Sequence, residues 1–213
     1  MNSFSYKESE FFHFPAVFGF DEAGRGPLAG PVTIAIVSFS EKTLTQIHKG
    51  ELLKGIADSK KISAKKRMEL FPEIQEVSEK WIIQSVSPKF IEKWNINQAI
   101  FYALGKAITK LQAEDCFFIL DGNYKLNQSI IWKNIPNYIS IPKADNSVVS
   151  VAAASILAKV ARDRIMEVYS RKISGYEFEK NMGYGTQKHC DAIRKKGLSK
   201  IHRISYCKNI LDS

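Results

Sequence analysis

The chain has 213 residues, 45% of them hydrophobic, and its 31 Lys plus Arg against 22 Asp plus Glu give a net charge of +9 and a pI near 9.4. That length buries one substantial core with room for a small appendage, and the basic balance favours a polyanionic partner such as nucleic acid over an acidic small molecule. The three cysteines, Cys116, Cys190 and Cys207, are odd in number and lack a C-x-x-C pair, which reads as reduced thiols and excludes a disulfide scaffold.

In chain order, MNSFSYKESEFFHF has no cationic start followed by an apolar core, and no later apolar run approaches the ~20 residues of a membrane span. A cytoplasmic protein without membrane insertion is expected. Strands are predicted near Val17 to Phe20, Val32 to Phe39 and Trp81 to Val86. Between the last two, SAKKRMELFPEIQEVSEK spaces its apolar residues for a helix, with Ser63 as N-cap and Pro72 as a break or second start. A helix from Asn97 to Leu111 precedes the apolar strand CFFILDG, and YISIPK is a further strand. The Ala-rich run VVSVAAASILAKVARDRIMEVYSRK contains no Gly or Pro and predicts a long, well-buried helix. From about Ser174 the chain turns basic and Gly-punctuated. This order fits a mixed sheet with helices on its faces and a small helical appendage.

Phe18 to Val32, FGFDEAGRGPLAGPV, is the richest stretch: an apolar strand ends on Asp21 and Glu22 and runs into the turn Gly24-Arg25-Gly26. Neighbouring strand residues alternate faces, so both acids serve one centre only if the strand ends or twists there, which Ala23-Gly24 permits. Two carboxylates at a buried strand end call for a compensating cation, and an all-oxygen pair suits hard Mg²⁺ or Mn²⁺. A dinucleotide loop built on Gly24, Gly26 and Gly30 fits less well. Its spacing is one residue too long, Pro27 and Pro31 interrupt it, and the β-branched VTIAIVSF follows where a helix should begin. Three segments in all close on acid: Asp21-Glu22, Asp121 and Asp145. Taken singly, Asp121-Gly122 also reads as an ordinary turn and Asp145 as a helix N-cap. Converged beyond the ends of a sheet, the four carboxylates would suit one or two divalent cations and phosphodiester cleavage.

With these residues in hand, the chain is similar to ribonuclease HII, the type 2 RNase H family. The resemblance is carried by DEAGRGPLAGPV, by Asp58-Ser59-Lys60-Lys61 in ADSKKIS, by LDG at Leu120 to Gly122 and KAD at Lys143 to Asp145. AAASILAKVARD from Ala152 to Asp163 and GYGT from Gly183 to Thr186 complete it. It implies an α/β, RNase H-like fold: a central mixed β-sheet flanked by helices over residues 1–173, and a helical C-terminal extension over 174–213 that contributes to substrate binding. It also implies an Mg²⁺- or Mn²⁺-dependent endonuclease that cuts the RNA strand of RNA/DNA hybrids and nicks DNA duplexes 5′ to an embedded ribonucleotide, leaving 3′-hydroxyl and 5′-phosphate ends.

Position by position, the resemblance makes Asp21, Glu22, Asp121 and Asp145 catalytic acids and metal ligands, Asp145 alternatively a water-orienting acid. Gly24, Arg25 and Gly26 match the segment that reads the ribose 2′-hydroxyl, the group that distinguishes RNA from DNA. Tyr184 matches a junction-reading tyrosine, its alternative being a packed aromatic in a glycine-flanked turn. Lys60, Lys61 and Lys143 are candidate phosphate contacts or simply solvated lysines. The tail IHRISYCKNI lacks a clamp-binding peptide, so no sliding-clamp partner is expected through it, and the chain is expected to act as a monomer. Two other classes stay open. A DDE-type recombinase would use similar acids but needs a DNA-recognition domain for which there is no room. A noncatalytic hybrid-binding protein would not need all four acids.

Overall fold

The computed structural model describes residues 4, 5 and 8–211. The reading of the N-terminus as free of an export signal therefore falls partly outside the described residues, as do Asp212 and Ser213. Five strands form one mixed sheet in the order β3-β2-β1-β4-β5. They are β1 Val17–Ala23, β2 Val32–Ser38, β3 Lys80–Val86, β4 Phe117–Asp121 and β5 Asn137–Ile141. β1 runs antiparallel to β2 and parallel to β4; β2 is antiparallel to β3, and β4 is parallel to β5. The helices are α1 Glu41–His48, α2 Ala64–Val77, α3 Pro88–Leu111, α4 Val149–Lys172, α5 Phe178–Asn181, α6 Gln187–Lys196 and α7 Ile204–Leu211.

The pleat sorts the strand side chains between two helical layers. Phe18, Phe20, Phe118 and Leu120 pack with Ala99, Ile100 and Leu104 of α3, whereas Ala35 and Val37 pack with Ala152, Ala153 and Ile156 of α4 and Leu70, Phe71 and Ile74 of α2. The alanines of α4 let its backbone lie on β1. At Gly19 an added Cβ would stand 2.2 Å from the Ser150 carbonyl carbon, so only glycine fits beneath the helix. The N-terminus of α4 has no side-chain cap of its own at Val148. Glu8 fills that place, buried, with its Oε1 accepting from the Ser150 hydroxyl, and burial pushes its carboxyl up to about 7.

The elements depart from the sequence expectation at four points. α2 runs straight through Pro72, because the buried Leu70, Phe71 and Ile74 hold both halves against the core at the expense of one ladder hydrogen bond. α3 starts at Pro88, nine residues before Asn97. Ser87 caps it, and a kink at Asn95 (φ 67, ψ 169) divides it, with Asn95 Oδ1 accepting from the Asn97 and Gln98 N–H groups. α1, capped by Ser40, is an additional helix. Asp145 is not an N-cap: it lies in a 3₁₀ turn, Ala144–Asn146, and α4 begins four residues later.

The C-terminal segment lies against the loop that follows β1. Tyr176, Phe178, Ile193, Ile201 and Cys207 form a small core with Ala29 and Met166, and His202 pairs antiparallel with Ala29. Gly30 N–H donates to Ile201 O (2.9 Å) and Arg203 N–H to Leu28 O (2.7 Å).

Candidate active site

β1 and β4 are parallel neighbours, so their C-terminal ends lie side by side and bring Asp21 next to Asp121. β5 then leads into the 3₁₀ turn that returns Asp145 to the same place. Ligand oxygens of Asp21, Asp121 and Asp145 all lie within 4.8 Å of one another. Asp121 Oδ1 accepts from the Ala144 N–H at 2.7 Å, tying the two acidic segments together. Burial, then the charges of Glu22 and Asp121, hold the Asp21 carboxyl well above the usual carboxylate range. Burial likewise raises Asp121, and burial followed by Asp121 and Asp58 raises Asp145 to about 6. Burial thus penalises the charged form of each acid first, and neighbouring acids add to that penalty. Lys60 supplies some compensating positive charge: burial lowers its pKa, but the surrounding Asp21, Asp58, Asp145 and Asp121 raise it on balance. An all-carboxylate trio at this spacing fits a hard divalent cation.

Glu22 is not in that trio. β1 does not end at the acids; it stays paired with β2 through Ala23, opposite Thr33, so the pleat continues and Glu22 emerges on the α3 face. There it borders a cleft of about 330 Å³ with Arg25, Asn97, Asp121, Tyr124 and Lys125. Burial raises Glu22 to about 7 despite a hydrogen bond from Tyr124 and the charge of Arg25. Arg25 donates to Asn97 Oδ1 (2.6 Å) and to the Tyr124 hydroxyl (3.3 Å). Asp121, at the sheet end, borders both faces.

Gly24 is buried and left-handed (φ 94), and an added Cβ would lie 2.0 Å from Arg162 Nε. Gly26 is exposed, and a Cβ there would meet nothing within 4 Å. Two fully buried arginines brace this loop. Arg162, on α4, donates to the carbonyls of Pro31, Ala29 and Met182; Arg203 donates to those of Gly24, Arg25 and Gly30. Tyr184 stands beside the same loop, 44% exposed, with the Arg162 guanidinium 5.8 Å and the Lys159 ammonium 5.9 Å from its ring centre. It is therefore not a packed core aromatic. Behind it His202 Nδ1 accepts from the Ser199 N–H (2.8 Å), which places the His202 proton on Nε2, facing His189 Nε2 (3.0 Å); His189 Nδ1 then donates to Tyr184 O (2.8 Å). Burial lowers both histidines, His202 to about 4, so the chain of bonds is neutral. Lys61 donates to Asn146 Oδ1, while Lys143 is exposed in a left-handed conformation (φ 60) just before Asp145.

Sequence reasoning missed Asp58, Asn97, Tyr124, Arg162 and Arg203. The two arginines were visible in AAASILAKVARD and IHRIS, but a buried arginine bound only to backbone carbonyls has no pattern of its own.

Comparison with known proteins agrees with this architecture. A family model described as Ribonuclease HII matches residues 18–209. The ribonuclease HII of Caldicellulosiruptor bescii is 43% identical over 195 residues, covering 92% of this chain and 88% of that one. The ribonuclease H2 of Pyrococcus horikoshii superposes with a TM-score of 0.73 at 24% identity, over 92% of this chain and 97% of that one. Ribonuclease HII of Archaeoglobus fulgidus, solved in a complex with PCNA, superposes with a TM-score of 0.71 at 26% identity, over 89% and 94%. A profile that spans the sheet, the acids and the bracing arginines alike, with relatives matched nearly end to end, leaves one assignment: this chain belongs to the ribonuclease HII family.

Proposed function

We propose that this chain hydrolyses the RNA strand of RNA/DNA hybrids and nicks DNA duplexes 5′ to an embedded ribonucleotide. Asp21, Asp121 and Asp145 are metal-holding acids, and Glu22, from the α3 side, is the fourth catalytic acid and metal ligand. The observation that carries this reading is the convergence of three carboxylates from distant segments within 4.8 Å, one of them on the strand that runs into a loop whose Arg25 and Gly26 are exposed. Mg²⁺ or Mn²⁺, two ions in the full reaction, supplies the Lewis acidity for hydrolysis. The protein's own part is to hold the phosphate so that water adds to phosphorus in line with O3′, the water losing a proton as the P–O3′ bond breaks and O3′ taking one up to leave as a 3′-hydroxyl. Gly24, Arg25 and Gly26 meet the ribose 2′-hydroxyl, and Tyr184 packs on the nucleotide at the RNA-to-DNA junction. Lys60 and Lys143, flanking the acids, contact phosphate.

The segment over residues 174–213 acts as a substrate-binding extension of the domain over residues 1–173. Among the described residues no helix is long and apolar enough to cross a membrane. We read the protein as a cytoplasmic monomer. The test is to incubate it with Mg²⁺ or Mn²⁺ and a DNA duplex bearing one ribonucleotide, then map the cut. Cleavage 5′ to the ribonucleotide with a 3′-hydroxyl supports the reading; an intact duplex and an intact RNA/DNA hybrid overturn it.

A further inference from the structure

We infer that Arg203 is a positioning residue for ribonucleotide recognition: its guanidinium orients the peptide planes of the glycine loop so that the Arg25 and Gly26 N–H groups face the substrate. This rests on the reading that the loop meets the 2′-hydroxyl. Arg203 Nη2 donates to Gly24 O at 2.6 Å and Nη1 to Arg25 O at 2.9 Å, while Nε and Nη2 both reach Gly30 O (3.1 and 2.9 Å). Among the described residues there are no cis peptide bonds, so each carbonyl held inward by Arg203 sends the N–H of the next residue the opposite way. Gly24 O fixes the Arg25 N–H and Arg25 O fixes the Gly26 N–H.

Two observations give this geometry a purpose. Among the described residues neither N–H donates to another group of the protein. Arg25 and Gly26 are also exposed, with open space at the Gly26 Cβ position. Two adjacent donors are thus left pointing outward, a fit for an oxygen that approaches the backbone closely. Arg162, by contrast, holds Ala29, Pro31 and Met182 and touches neither of these carbonyls. A buried guanidinium bound to three carbonyls and no carboxylate is a costly way to fill space, and a lysine would not replace it. An ammonium is a point donor, whereas the planar fork sets three carbonyl directions at once.

The experiment compares binding of a DNA duplex bearing one ribonucleotide with binding of the all-DNA duplex, without divalent ions so that nothing is cut. The wild type should prefer the ribonucleotide duplex about tenfold or more, the worth of roughly one good hydrogen bond. Arg203→Lys, its fold checked by amide spectrum and melting, should bring the ratio close to one while keeping the affinity for all-DNA duplex. A general loss on both duplexes, or an unchanged ratio, overturns the inference.

Amide spectra of the wild type separate the two levels of the argument and decide the matter even if the variant does not fold. The Arg25 and Gly26 amide protons should shift with the ribonucleotide duplex and not with DNA, while the Gly24 and Arg25 carbonyl carbons stay in place. Carbonyl shifts on binding would show that Arg203 releases the loop, and would overturn its role. Amides indifferent to the ribonucleotide would instead remove the loop's 2′-hydroxyl reading itself, and the inference with it.

Discussion

Gly24 and Gly26 are separated by one residue, yet alanine should do opposite things at the two sites. At Gly24 the backbone is left-handed (φ 94) and a Cβ would meet Arg162 Nε at 2.0 Å and Pro31 O at 2.6 Å. Strained φ adds about 1 kcal/mol and overpacking about 1–3 kcal/mol, so Gly24→Ala should cost roughly 2–4 kcal/mol of stability. For a chain of this size that lowers Tm by roughly 4–16 °C. At Gly26 the Cβ meets nothing within 4 Å, so alanine should leave stability unchanged or raise it by up to about 1 kcal/mol. Its methyl group nevertheless occupies the space through which a ribose reaches the Gly26 N–H. Losing that approach should remove about 1–3 kcal/mol of transition-state binding, a fall of roughly 5- to 150-fold in kcat/KM. Thermal melting and cleavage of a one-ribonucleotide duplex, measured on both variants, separate the effects. Wild-type kcat/KM in Gly26→Ala would refute a close backbone approach at this position. An unchanged Tm in Gly24→Ala would refute the packing argument.

Three further outcomes are expected. Asp21→Asn should nearly abolish cleavage at saturating Mg²⁺ while raising Tm in metal-free buffer at neutral pH, because burial and the charges of Glu22 and Asp121 oppose ionisation of the carboxyl it replaces; near-normal turnover would sink the assignment. Tyr184→Ala should lose stacking worth about 1–3 kcal/mol on a one-ribonucleotide duplex, with less loss on a long hybrid, and Tyr184→Phe should keep most of it. Equal losses on both substrates would withdraw the junction role. Glu8, raised from 4.5 to about 7 by burial, favours the folded state fully below pH 4.5 and loses that contribution as pH rises through about 7. A shift of that size corresponds to about 3 kcal/mol, so Glu8→Gln should flatten the stability profile across this window and gain up to that amount at pH 8. Denaturant titrations at pH 5 and pH 8 that show the same difference for both proteins would contradict it.

The strands that carry Asp21 and Asp121 were legible because an apolar run that stops on an acid is a local pattern, and α4 because its alanines run unbroken for a helix's length. The sequence placed Asp21 and Glu22 together, and the structure divides them between faces. Whether β1 frays at the acids or stays paired depends on β2, whose Thr33 and Ile34 hold the register of Ala23 and Glu22. Tertiary support also overrides Pro72 in α2, and the Asn95 kink conceals the first turns of α3. Arg162 and Arg203 were out of reach for a different reason. Charged residues read as surface, and carbonyl acceptors belong to every residue, so nothing in composition signals where a guanidinium goes inside.

The distance along the chain between the glycine loop and its brace sets a timetable for synthesis. Arg203 lies 178 residues beyond Arg25, whose carbonyl it holds. A ribosome adding about 5–20 residues each second takes roughly 9–36 s to cover that interval. Throughout it the strand pair β1 and β2 can form, yet the turn joining them lacks both guanidinium supports until Arg162 is made, and the second until Arg203 follows. A nascent chain therefore carries Asp21 and the glycine turn long before that turn can be locked, and recognition matures only after the segment that follows α6 has emerged and docked.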